Sequence, residues 1–164
     1  MKFLQLAALA LGANASLQQR DLATFQNTLT SLTGDVVNLD IAVKGILAQL
    51  QTVSNNFKAA TFTIQAQPVL TAADSLLIAQ NWQGLRDKIA QTSTDLSSAK
   101  GSIQAASNCK DIYTNSVLVY YWGYLYFSMI GARTDASVNQ TYTDGGRSTI
   151  NQFELVYKSI VCPN

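Results

Sequence analysis

Residues 22–60 read LATFQNTLTSLTGDVVNLDIAVKGILAQLQTVSNNFKAA, and the apolar positions fall at steps of three and four without a break. They are Leu22, Phe25, Leu29, Leu32, Val36, Leu39, Val43, Ile46, Leu50, Val53, Phe57 and Ala60. Such a run describes one continuous apolar stripe along helix, which a strand with its period of two cannot produce. The spacing predicts an all-α protein. The stripe is flanked by Asp21, Gln26, Thr28, Thr33, Asp35, Asp40, Ala42, Leu47 and Gln49. These supply no complementary Glu and Lys pairs to select a coiled-coil partner, so an intramolecular antiparallel bundle is the expected arrangement.

Working outward, Asp21 suits the start of the first helix, where an acid meets unpaired amides. Gly45 and the Ser54-Asn55-Asn56 cluster predict a break or kink within 48–56. Pro68 ends the preceding segment. Thr71 and Asp74 form a capping pair, and a thinner stripe follows in Ile78, Trp82, Leu85, Ile89, Thr92, Leu96, Ala99 and Ile103. A loop near Ser107-Asn108 leads to a helix from Cys109 to about Arg133. The last helix is expected from about Asp144 to Val161, with Ile150, Phe153, Tyr157 and Ile160 on one face. Asp144-Gly145-Gly146-Arg147 then reads as a turn into that helix. About five helices result, in one domain covering residues 16–164.

Residues 1–15 stand apart. Lys2, the apolar run Phe3–Leu11 and Ala13-Asn14-Ala15 before Ser16 have the three regions of a secretory signal peptide. Gln19-Arg20 offers a second, weaker processing point. Loss of Lys2 leaves ten basic residues against ten acidic ones, and only 13% of the sequence is charged. No basic patch is available for a phosphate backbone, so no nucleic-acid partner is expected. The abundance of Ser, Thr, Asn and Gln suits an extracellular or cell-wall surface, and Asn139-Gln140-Thr141 is a glycosylation sequon in the polar connection 134–146. In an oxidising compartment Cys109 and Cys162, 53 residues apart, are most simply one disulfide, the alternative being free or intermolecular thiols.

The chemistry is sparse. There is no histidine, which removes Ser-His and Cys-His pairs and the common zinc sites. Glu154 is the one glutamate, and the aspartates sit at helix starts or on polar faces. No enzyme, metal site or cofactor is expected. What remains is Val117–Phe127, VLVYYWGYLYF, apolar on every side of a helix, with no charge between Asp111 and Arg133. Its length would allow a membrane span, but a span would separate Cys109 from Cys162, and tyrosines favour membrane edges over the middle. The expected reading is a central bundle helix touching neighbours all round, without a transmembrane anchor.

The signal sequence, the stretch Leu-Thr-Gly-Asp-Val-Val-Asn-Leu-Asp-Ile-Ala-Val-Lys-Gly (residues 32–45) and the capped Leu70-Thr71-Ala72-Ala73-Asp74 together resemble the fungal hydrophobic surface-binding protein A family, which includes cell-wall galactomannoproteins. The resemblance spans about Asp21 to Ile103. It implies a secreted helical bundle that adsorbs to hydrophobic surfaces, recruits secreted hydrolases there and holds fatty acids in an apolar core. The cysteine pair and the aromatic segment depart from the family pattern, and no family motif residue carries over as a ligand contact. From stripe positions alone, the apolar site would be lined by Leu39, Val43, Leu85, Ile89, Tyr120, Tyr124, Phe127, Phe153 and Tyr157. The tyrosine hydroxyls could meet a carboxylate. The alternative function is a structural wall mannoprotein or secreted effector acting through protein contacts.

Overall fold

Apolar stripes at helical spacing must be buried against one another, and the computed structural model, which describes residues 21–34 and 45–163, shows how. Helix α1 covers residues 21–34, α2 Ile46–Gln65, α3 Ala72–Leu77, α4 Ala79–Ala105, α5 Cys109–Ala132 and α6 Asn139–Lys158. Among the described residues there is no strand. Every described member of the first stripe faces inward: Phe25, Leu29, Leu32, Ile46, Leu50, Val53, Phe57 and Ala60 are buried, and Leu22 packs at the edge. The second stripe is buried likewise from Ile78 to Ile103, with Ala99 at its margin, as are Ile150, Phe153, Tyr157 and Ile160. Each large side chain so enclosed contributes about 1.5–3 kcal/mol of transfer free energy. Val36, Leu39, Val43 and the expected signal peptide lie outside the described residues.

Neighbour relations define the bundle. α5 packs along both α2 and α6, α6 also packs on α4, and α4 touches α5 only slightly. Thr30 of α1 accepts a hydrogen bond from Asn81 of α4, and the Thr28 hydroxyl lies 3.3 Å from that of Tyr126 on α5, so α1 closes the bundle against both. The Cys109–Cys162 disulfide, with Cα atoms 5.7 Å apart, joins the start of α5 to the chain just beyond α6 and makes these two helices antiparallel.

Three local expectations are corrected. α2 runs unbroken through 48–56, with Gly45 as its N-cap. Its hydroxyl residues do not compete with the helix, because they bond within it: Thr52 donates to the Ala48 carbonyl, Ser54 to that of Gln51 and Thr61 to that of Phe57. The helix capped by Thr71, whose oxygen accepts from the Asp74 amide at 3.2 Å, lasts only six residues before a bend at Ile78. Finally, α6 begins at Asn139 and not near Asp144. The turn before it is made by Asp135, whose Oδ1 accepts from the Ser137 amide and hydroxyl at 2.9 and 2.6 Å. These hydrogen bonds hold the Asp135 carboxyl below its ordinary pKa. The sequon asparagine, Asn139, therefore sits on the first helical turn and not in a loop.

The glycine pair Gly145-Gly146 lies inside α6, where packing and not a turn requires it. A Cβ on Gly146 would fall 2.6 Å from Cβ of Phe127 and closer still to its ring, and one on Gly145 would come 2.5 Å from the Trp82 ring. Gly123 faces Ile150 and Gly131 faces Thr143 in the same manner. The α5–α6 seam is thus a series of small-against-large pairs, Gly123 with Ile150, Phe127 with Gly146 and Gly131 with Thr143, running in opposite directions along the two helices. Backbones approach closely wherever the glycine lies.

Candidate apolar ligand site

Two kinds of environment receive the side chains expected to line a ligand site. Leu85, Ile89, Phe127 and Phe153 are in the closed core. Leu85 and Ile89 come from the inner face of α4, while Phe127 meets Phe57 and Tyr126 at ring-centre distances of 6.5 and 5.8 Å. Tyr120 and Tyr124 instead lie half-buried along the α5–α6 seam, where Tyr120 stacks at an angle against Tyr124 (6.2 Å) and Tyr157 (5.9 Å). Tyr157 is buried and also meets Phe153 (6.1 Å) and Tyr113 (5.7 Å). The fold therefore links Tyr120, Tyr124, Phe153 and Tyr157 in one chain of rings and holds Leu85, Ile89 and Phe127 deeper. Leu39 and Val43 lie outside the described residues.

The polar end of this aromatic chain is occupied by protein groups. Glu154 lies close enough for its carboxylate to act on the Tyr120 phenol, and it pairs with Lys158 one turn on, at 2.6 Å. Burial first, and the Glu154 carboxylate second, raise the pKa values of both Tyr120 and Tyr157. The Glu154 hydrogen bond leads in raising that of Lys158. The Arg147 guanidinium lies 4.8 Å from the Tyr124 ring centre and donates to the Ser128 hydroxyl. A carboxylate arriving at Tyr120 would meet the negative charge of Glu154, so the stripe tyrosines are better placed to form an apolar wall than an acid receptor.

The tyrosine that does reach the centre is Tyr126. It is fully buried, its ring lies 5.7 Å from that of Phe57, and burial pushes its phenol well above the ordinary value. Phe57 was visible in the first stripe. Tyr126 was hidden in a segment apolar all round, where periodicity cannot say which face turns inward. Tyr142 is likewise engaged, its hydroxyl donating to the Ser75 carbonyl that anchors α3.

Between α1 and α2 runs a cleft of about 210 Å³ lined by small and polar residues, among them Ser31, Ala59, Ala60 and Thr63. Its floor is Leu32 of the first stripe, and Thr28, the neighbour of the Tyr126 hydroxyl, also lines it. Another cleft, about 420 Å³ and more apolar, lies between α3, the start of α4 and the start of α6, over Trp82 and Tyr142.

The sequence itself matches a known family. The family described as hydrophobic surface binding protein A matches residues 16–119. The chain belongs to this family. The match extends past both ends of the region whose motifs are legible by eye, and it stops within α5, before the aromatic segment is complete. No curated protein matches the sequence.

Solved structures carry the likeness through the rest of the chain. Ligand binding domain 1 of the Penicillium marneffei MP1 protein, complexed with arachidonic acids, superposes with a TM-score of 0.65 at 11% identity, covering 86% of this chain and 96% of that one. AFMP4P in complex with palmitic acid gives 0.65 at 17% identity, covering 90% and 99%. Ligand binding domain 2 of the MP1 protein, with multiple arachidonic acids, gives 0.65 at 13%, covering 88% and 96%. At such identities the shared property is the fold. Among the described residues, no helix is long and apolar enough to cross a membrane. No group of three or more His, Cys, Asp or Glu there could hold a metal.

Proposed function

We propose that this protein is secreted, and that it binds long-chain fatty acids and hydrophobic surfaces by burying apolar surface, without chemistry. The observation that carries the reading is the continuous apolar interior shared by α1, α2, α4, α5 and α6, in a chain of the hydrophobic surface binding protein A family that lacks histidine. The fatty acids in the solved structures of like fold support the ligand class. Each methylene taken from water is worth about 0.8 kcal/mol, so an acyl chain alone provides ample driving force before the costs of association. Leu85, Ile89, Phe127 and Phe153, with Leu39 and Val43 from the first stripe, are the proposed lining; Tyr120, Tyr124 and Tyr157 form its aromatic wall. Entry between α1 and α2 would part hydroxyl contacts and small side chains and leave the ring-and-glycine seam of α5 and α6 intact. That the family match begins at Ser16 supports a mature chain starting there.

The test is native mass spectrometry of the secreted protein beside denaturing mass spectrometry. A mass excess that vanishes on denaturation and extracts as fatty acid is the expected result, and Leu85→Asp should abolish it in any molecules that fold. A bare mass after challenge with palmitic acid would refute the reading.

A further inference from the structure

α5 is not covered all round as the sequence suggests. Its outer face leaves Leu118 41% and Tyr121 52% exposed, and Phe62 of the adjoining α2 is 55% exposed. These are joined into one patch by Trp122, whose ring lies 5.9 Å from Phe62 and 5.1 Å from Tyr121. Surface apolar residues scattered singly need no explanation, but adjoining aromatics on two neighbouring helices form a contact surface.

The charge pattern indicates what the patch meets. Lys58, the one charged residue of α2, lies 5.4 Å from the Trp122 ring centre. No acid occurs on α2, and none on α5 after Asp111 in its first turn. Arg133 closes the far end, donating to the Gln65 carbonyl at the end of α2. The face is apolar, with Lys58 within it and Arg133 at one end. The rings are also tilted against one another by 56° and 79°, so they offer no flat platform for stacking planar rings. Trp and Tyr with an apolar body and a polar tip, beside a lysine that can extend its ammonium outward, suit the boundary between acyl chains and anionic headgroups.

We infer that the outer α2–α5 face, centred on Phe62, Tyr121 and Trp122 with Lys58, docks the protein on lipid surfaces bearing negative charge. This adds an outer contact to the proposed interior one, and either can fail alone. The secreted chain is mixed with vesicles of phosphatidylcholine alone or mixed equally with phosphatidylglycerol, and bound protein is measured by flotation at low and high salt. Binding is expected to favour the anionic vesicles and to fall with salt. Lys58→Gln should weaken it about fivefold, and Phe62→Ser with Tyr121→Ser tenfold or more, without altering the fatty-acid mass excess. A Trp82→Phe protein keeps Trp122 as its one tryptophan and tests the face without altering it, since Trp122 emission should shift to the blue on anionic vesicles. Equal binding to both vesicle types, unchanged binding of the variants, or an unmoved Trp122 emission would each overturn the inference.

Discussion

Replacing Gly146 by alanine tests the close seam between α5 and α6. The new methyl group would fall 2.6 Å from the Phe127 Cβ and closer to the ring carbons next to it. These atoms are at the root of the side chain, so Phe127 cannot swing aside from its tip. It is fully buried among Phe57 and Tyr126, and the helices must part or Phe127 must leave its rotamer. Overpacking costs about 1–3 kcal/mol in general, and contacts under 3.0 Å at the root of a buried ring put this site at about 2–3 kcal/mol. Alanine returns about 1 kcal/mol through its better helix propensity, so the net loss is about 1–2 kcal/mol. At about 2–4 °C per kcal/mol for a chain of this size, the melting temperature of the oxidised protein should fall by about 2–8 °C. The internal control is Gly101→Ala on α4, where an added Cβ meets nothing within 4 Å and φ is not positive. That change should raise stability by about 0.5–1 kcal/mol. Both are read by far-ultraviolet circular dichroism on heating and by urea titration. A Gly146→Ala protein that melts at or above the parent temperature would refute the account of the seam. Adding Phe127→Leu should recover part of the loss as a non-additive coupling between neighbours.

Other outcomes follow from single features. Replacing Cys109 and Cys162 together by alanine opens a 53-residue loop and should cost about 4 kcal/mol in the chain-entropy account, read as a lower urea midpoint. Thr71→Ala removes the cap of α3 and should cost about 1 kcal/mol. The Tyr126 phenol is raised by burial above its ordinary value of 10.0. The unfolded chain therefore loses that proton first, and the stability present below pH 10.0 should decline as pH rises above it. Tyr126→Phe should flatten part of this alkaline decline in urea titrations across that range. Tyr142 and Tyr157, also raised by burial, should maintain the rest.

The helices were legible because their stripes are long: at Phe25, Leu29 and Leu32, from Ile46 to Ala60 and from Ile78 to Ile103, spacing alone identified the inward side chains. The errors came where a local preference was outweighed by something distant in sequence. Gly145 and Gly146 prefer turns, yet Trp82 and Phe127 need their missing side chains in mid-helix. Ser54 and its hydroxyl neighbours disfavour helix until their protons bond within it. The ligand wall was harder to read than the fold. In an α5 apolar on all sides, Tyr120, Tyr121, Tyr124 and Tyr126 look alike in sequence. Only the positions of α2 and α6 decide that Tyr126 is enclosed, Tyr120 and Tyr124 border the seam and Tyr121 faces outward.

The disulfide encloses α5 and α6 completely and leaves α1 to α4 outside its loop. This gives the two halves of the chain different fates when a protease cuts. A single cut anywhere between Cys109 and Cys162 produces two fragments that remain covalently joined, and the seam of rings and glycines can close again over the nick. A cut before Cys109 frees a piece held by packing alone. Damage to the amino-terminal half is therefore the damage that the molecule can lose to dilution, while the aromatic hairpin tolerates its first break as an internal flaw.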